Sequence, residues 1–427
     1  MHGKTKILGR SDARASRRIL SNRPRGVAAC LLVAMAIIAT PPARADIAYA
    51  WGANANGQLG DGTTTNRTAP VAVTGLSSGV TALAAGGAHS LAVQNGGVYA
   101  WGYNYYGQLG DNTLTQRTAP IAVISLSSGV TAVAGGERHS LAVQNGGLYA
   151  WGDNTGGKLG DGTTTQRNTP VAVTGLSSGV TAIAAGTFHS LAVQNGGVWA
   201  WGSNGAGQLG DGTTTQRNAP AAVVSLTNGV TSVSGGYVFS VAVRNGAVYA
   251  WGDNAYGQLA DGTTTQRLLP VAATGLSSGV TSIASGSYHS LAVRNGGVYA
   301  WGYNAFGEVG DGTTTNRSTA VQIDPTDLHN IIAVAASTFT SYALSVDGSL
   351  WAWGDNGYGE LGLGNTTSTY LTPQHLLPPT GYAFTSIHGE AEGFHAVATL
   401  TATPEPASLA LIALGGGALL ARRRRRV

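Results

Sequence analysis

A tryptophan–glycine pair recurs at Trp51, Trp101, Trp151, Trp201, Trp251, Trp301 and Trp353, fifty residues apart five times and then fifty-two. A period of that length marks units that each hold one supersecondary element and bury their apolar face only by stacking on neighbours. In the unit 80–123 four strand-like runs stand out, at 80–85, 89–93, 98–101 and 120–123. Asn95-Gly96 separates the second from the third; a two-residue type I′ turn needs positive φ at both central positions, which this pair tolerates. His89, Leu91 and Val93 alternate with Ser90 and Ala92, as a strand requires. The first run is small and apolar on both faces, which suits the most crowded, innermost position.

Four antiparallel strands per unit and seven units predict an all-β chain, a seven-bladed β-propeller. The ends test the prediction. Residues 46–51 read as a third strand with no first or second before it, and 384–388 and 395–399 read as a first and second with no third after them. Pairing the N-terminal strand with the C-terminal hairpin completes one blade and closes the ring without an exposed edge.

The pattern Gly-x-x-His-Ser-Leu-Ala-Val, then Val-Tyr-Ala-Trp-Gly-x-Asn, then Gly-Gln-Leu-Gly-Asp-Gly resembles the regulator-of-chromosome-condensation repeat and covers 46–400. The resemblance implies a seven-bladed propeller with a split closing blade. It also brings three precedents. A secreted bacterial enzyme-inhibitor protein of this family, directed at β-lactamases, holds a protein on one rim. The eukaryotic founder is a guanine-nucleotide exchange regulator of a small nuclear GTPase, with chromatin as partner. The plant ultraviolet-receptor type needs tryptophans where Gly87, Glu137, Thr187, Tyr237, Ser287, Thr338 and Gly393 stand here, and is set aside.

Both flanks read as targeting segments. Residues 1–45 carry a basic stretch, an apolar run at 27–39, and Ala43-Arg44-Ala45 before Asp46, the pattern of an export signal cut by signal peptidase. In residues 401–427, Pro404-Glu405-Pro406 precedes an apolar run and then Arg422, Arg423, Arg424, Arg425 and Arg426. An apolar stretch stopped by arginines resists complete translocation. The three-part arrangement resembles the PEP-CTERM sorting signal of exopolysaccharide-producing Gram-negative bacteria. It implies a transient transmembrane anchor in the inner membrane, cleavage by an exosortase, and release to the envelope or the extracellular space, the biofilm matrix included.

Charge follows the same division. The whole chain is +4, but residues 46–403 hold ten basic and eighteen acidic residues, a net of −8. An acidic body repels nucleic acid, and nuclear exchange activity fits neither the charge nor the export signal. The single cysteine, Cys30, lies in the signal segment, leaving a thiol-free propeller suited to an oxidising exterior.

No catalytic group emerges: there is no Ser-His-Asp grouping, no P-loop and no carboxylate pair placed for acid–base work, so a non-enzymatic protein without a cofactor is expected. His89, His139, His189, His289 and His395 recur, with Phe239 and Thr340 in the other two places. Neighbouring sheets pack about 10 Å apart whereas Zn–N bonds are about 2 Å, so they cannot share a metal and are expected to be hydrogen-bonding core residues. Asp61, Asp111, Asp161, Asp211, Asp261 and Asp311 each precede an arginine by six residues, and the last unit replaces both with Leu363 and Thr369. Joint loss suits a loop-bracing ion pair; one carboxylate per loop is too few for calcium.

Alternating strand direction puts the first–second and third–fourth loops on one rim. The opposite rim is nearly constant in sequence. The loop rim varies and carries Tyr103, Tyr105, Tyr106, Phe188, Tyr237, Tyr256, Tyr288, Tyr303, Phe306, Phe339, Tyr358 and Phe394. Aromatics on variable loops over a rigid scaffold are what binding surfaces use, so this rim is the expected ligand face, for an envelope protein or extracellular polysaccharide.

Overall fold

The structure, a computed structural model, describes residues 46–324 and 326–403. The expectations for Ala43, Ala45, the apolar run at 407–421 and the terminal arginines lie outside these residues. Among the described residues no helix is long and apolar enough to cross a membrane.

Twenty-eight strands form seven four-stranded antiparallel sheets. The first blade comprises Val80–Ala85, His89–Gln94, Gly97–Gly102 and Arg117–Ala122. Blades two to five repeat it from Val130, Val180, Val230 and Val280, and the sixth runs from Ile331 to Leu376. The seventh is composite, in the order Arg67–Ala72, Ile47–Gly52, His395–Ala402, Tyr382–Phe384. Its two halves join through a continuous ladder from Ile47↔Leu400 to Gly52↔His395. The first strands line a central cavity of about 220 Å³ floored by Leu83, Ala84, Val133, Ile183, Ile283 and Val334. Their small residues let seven backbones converge there.

Local geometry explains the repeat. Asn95 and Gly96 have φ of 52° and 80°, the left-handed pair that a type I′ turn requires. The glycine after each tryptophan is needed for space as well as conformation: at Gly102 (φ +103°) a Cβ would stand 2.6 Å from the carbonyl oxygen of Ala88. The fourth strand begins earlier than the sequence pattern indicates, at Arg117 instead of 120, because Arg117 pairs with Gly102 across a bulge. The first strand of the closing blade is shorter than expected. Tyr382–Phe384 pairs regularly; Thr385 then turns its N–H to the Thr399 carbonyl (2.8 Å), and only an isolated bridge, His388↔Val397, resumes the ladder.

The seven tryptophans are fully buried between blades. Trp151 Nε1 donates to the carbonyl of Gln108 in the preceding blade (2.8 Å), and Ser140 Oγ donates to the same oxygen (2.8 Å). Because the Ser140 proton is thus committed, its oxygen accepts from His89 Nε2–H at 2.9 Å. The same three-part latch joins His139 to Ser190, His189 to Ser240, His289 to Ser341 and His395 to Ser90. Burial keeps these imidazoles neutral, pushing His89 and His289 down to about 3 and His189 and His395 to about 4. The expected core role of the histidines is thereby formed, as links between blades.

Candidate functional site

The long third–fourth loops are built before they can carry anything. In the first blade Asp111 Oδ1 accepts from Asn104 Nδ2 (3.1 Å) and from the Thr113 amide and hydroxyl (3.0 and 2.7 Å), while Oδ2 accepts from Arg117 Nη2 at 2.7 Å. Burial disfavours the Asp111 carboxylate, but hydrogen bonds from Arg117, Thr113 and Asn104 outweigh it and hold the group below its ordinary range. The other five Asp–Arg pairs close at 2.5–2.8 Å. In the sixth blade, where both partners are gone, Asn365 takes the Thr113 place and accepts from Asn356 Nδ2 at 3.0 Å. The bracing ion pair inferred from the sequence is formed, and the loops above it stand on rigid feet.

On this platform the twelve rim aromatics fall into three groups. The largest is a continuous arc: Phe188 touches Tyr237 (5.2 Å between ring centroids), Tyr237 touches Tyr288 (5.3 Å), Tyr288 touches Tyr256 (5.4 Å), Tyr256 touches Tyr303 (4.9 Å), and Tyr303 reaches Phe306 and Phe339 (6.5 and 6.1 Å). Tyr103, Tyr105 and Tyr106 form a second cluster, with Tyr105 64% exposed. Tyr358 and Phe394 form an isolated pair at 5.4 Å. All but Tyr105, Tyr256 and Tyr358 are half-buried, so the rings offer faces and edges instead of whole side chains.

Polar groups that the sequence pattern did not single out sit beside the arc. A cavity of about 340 Å³ opens beside Phe188 and Tyr237 and has Glu137, Asp153, Lys158 and Glu392 in its wall. Lys158 stands where four other units have glutamine; it is buried and pairs with Asp153 Oδ2 at 2.6 Å. Burial opposes ionisation of Asp153, but Lys158 overrides it and keeps the carboxyl low. Glu392 is pushed up by burial and by the Glu137 charge, against a hydrogen bond from Ser287 (2.9 Å). Glu390, facing the central cavity, is held well above its ordinary value by burial. In the sequence, Lys158 was legible as the one lysine of residues 46–403; Glu390 and Glu392 carried no signal, since only the ring closure ties 391–393 to Ser287 and Thr338 of the fifth and sixth blades and brings Glu392 into a cavity with second- and third-blade residues. Among the described residues no cluster could hold a metal ion.

A family model for the RCC1-like domain matches residues 43–336, and models of the RCC1 repeat match 331–360 and 347–389. The chain belongs to the RCC1-like family. A model of the PEP-CTERM protein-sorting motif matches residues 402–426, which marks an exported propeller bound for the envelope or the extracellular space. No curated protein matches the chain. Among solved structures, human WBSCR16 is similar with a TM-score of 0.73 at 23% identity, covering 84% of this chain and 100% of that one. The yeast RCC1 protein Prp20, solved bound to Kap60, is similar with a TM-score of 0.74 at 21% identity, covering 85% and 90%. Prp20p of Saccharomyces cerevisiae, described with its binding to Gsp1p and histones, gives 0.73 at 22%, covering 85% and 93%. At these identities the likeness is one of fold.

Proposed function

We propose that this chain is an exported, non-enzymatic binding propeller that captures a ligand of the cell envelope or extracellular matrix on its aromatic rim. The observation that carries the reading is the contrast between rims: one holds near-identical Asn-Gly-Gly turns, the other a contiguous aromatic arc on loops whose sequences differ from blade to blade. The sorting motif supplies the route. The tail anchors the chain transiently in the inner membrane until an exosortase cuts near Pro404-Glu405-Pro406, and the propeller is then released. Protein binding has a parallel in Prp20p, which binds Gsp1p and histones. The acidic body, at −8, argues against a nucleic-acid partner.

The test uses the released protein, immobilised and exposed to envelope proteins and to extracellular polysaccharide. Replacing Tyr103, Tyr105 and Tyr106 together by alanine is expected to abolish capture with the melting temperature unchanged. Undiminished capture by a stable triple variant overturns the assignment of the face.

A further inference from the structure

The cavity beside the aromatic arc carries more chemical detail than the arc itself. Two of its wall groups are cations, and both are engaged: Arg138 pairs with Glu137 at 2.7 Å and Lys158 with Asp153 at 2.6 Å. The third carboxylate, Glu392, faces no cation; its described partner is the Ser287 hydroxyl. Thr187, 1% exposed, lines the same cavity with an Oγ1 that has no hydrogen-bond partner. Phe188 and Tyr237, packed edge to face at 5.2 Å, together form one aromatic side of the cavity.

The surroundings repeat the bias. The Tyr288 phenol, packed on Tyr237, is pushed up to about 12 by burial first and then by Tyr237, Glu392, Tyr256 and Asp253, which places negative groups along the arc. The basic residues of the loop rim are its six bracing arginines, Arg138 and Lys158, and each is paired. The other two of the propeller, Arg244 and Arg294, donate to carbonyls of the opposite rim's turns. Lys158 Nζ already stands over the Phe188 ring, 5.7 Å from its centroid, so what the cavity leaves over is a carboxylate and a hydroxyl oxygen beside an aromatic side. These groups accept protons and attract cations.

We propose that the cavity bounded by Phe188, Tyr237, Thr187 and Glu392 receives the positively charged side chain of a lysine or arginine displayed by a protein partner. This rests on the reading of the loop rim as the binding face, and it selects protein over polysaccharide. A neutral sugar would leave the Glu392 charge without a counter-charge, and the cationic donors of the wall are already used. Glu392 supplies the counter-charge, Thr187 Oγ1 accepts one N–H, and the Phe188–Tyr237 side lies against the alkyl stem. An acidic propeller of −8 draws a basic surface toward this rim before contact, so association slows as salt is raised.

The probe is Nα-acetyl-lysine methylamide, titrated into the released protein while the aromatic proton signals of Phe188 and Tyr237 are followed by NMR. The neutral norleucine analogue and N-acetylglucosamine are the comparison probes. Saturable binding of the lysine probe, with little from either comparison probe, is expected. Glu392→Gln should weaken it at least tenfold, as should Phe188→Leu, with melting temperatures unchanged. Equal binding of norleucine, preference for the sugar, or full affinity in E392Q overturns the proposal. The two readings can fail separately. Should the Tyr103, Tyr105 and Tyr106 triple variant capture macromolecules normally while the lysine probe still depends on Glu392, the aromatic-cluster assignment fails and the cavity assignment stands.

Discussion

The seam between the first and second blades and the seam between the fourth and fifth are built from one pattern with one change. At the first, His89 donates to Ser140, which donates to the Gln108 carbonyl alongside Trp151. At the second, Phe239 replaces the histidine; Trp301 still donates to Gln258 O at 2.8 Å, but Ser290 Oγ is buried without a partner. The seam between the sixth and seventh blades departs further. Thr340 and Ala396 stand where histidine and serine would, and the Tyr342 hydroxyl donates to the Glu360 carbonyl that Trp51 also uses. The tryptophan is common to all three seams while the histidine is not. The wedge therefore fixes the geometry of the ring and the histidine–serine link reinforces it.

Three changes break or sharpen this comparison. Deleting residues 46–52 removes the strand that both joins the closing blade and carries Trp51. Ring closure and the seam to the sixth blade go together, and loss of the single cooperative melting transition is expected; an unchanged transition would mean the ring does not depend on its clasp. Next in size, Ser140→Ala takes away an acceptor for His89 and a donor for Gln108 O, leaving buried groups unmade at a cost of about 1–3 kcal/mol. Ser290→Ala removes a hydroxyl that had no partner and should be nearly neutral by the same denaturant titration. Equal costs at the two seams would remove the distinction between them.

A pH-dependent effect concerns another departure from the repeat, Glu308, which stands where Gln58, Gln108, Gln208 and Gln258 stand in other units. One carboxyl oxygen accepts the Phe306 amide at 2.9 Å as a glutamine would, the other has no partner, and burial pushes the group up to about 8 from an ordinary 4.5. The folded state therefore holds this proton more tightly than the unfolded chain. Its contribution to stability is full below pH 4.5 and is lost as the pH rises to about 8. Glu308→Gln should leave stability at pH 4.5 nearly unchanged and raise it by several kcal/mol at pH 8.5, at about 1.4 kcal/mol for each pH unit between 4.5 and about 8, read from melting curves at the two pH values. A stabilisation independent of pH would show that shape, not charge, decides at this position.

The ring, its blade count and its clasp were legible in the sequence because a fifty-residue period repeats local signals: an Asn-Gly turn, a Trp-Gly pair, an Asp–Arg brace six residues apart. Each depends on neighbours in the chain. The latch was not legible, since His89 and Ser140 are fifty-one residues apart and His395 and Ser90 three hundred and five. Nor was the break at Thr385, where hydroxyl-bearing residues on both sides bend the edge strand. At the candidate site the aromatic residues could be assigned to one rim from strand direction alone. Their grouping into one arc and two islands, and the meeting of Glu392 with Thr187 and Phe188, depend on blade packing around the ring.

The register Ile47↔Leu400 has a mechanical corollary. The strand entering after Asp46 and the strand leaving at Ala402 both have their outer ends on the rim of constant turns, so any tether on either side pulls from that rim. Six-residue strands separate it from the aromatic loops by about 20 Å. With the tail anchored as proposed, the attachment lies at the rim of constant turns and the aromatic loops lie at the opposite end of the propeller. The cleavage proposed near Pro404-Glu405-Pro406 therefore leaves the aromatic rim untouched.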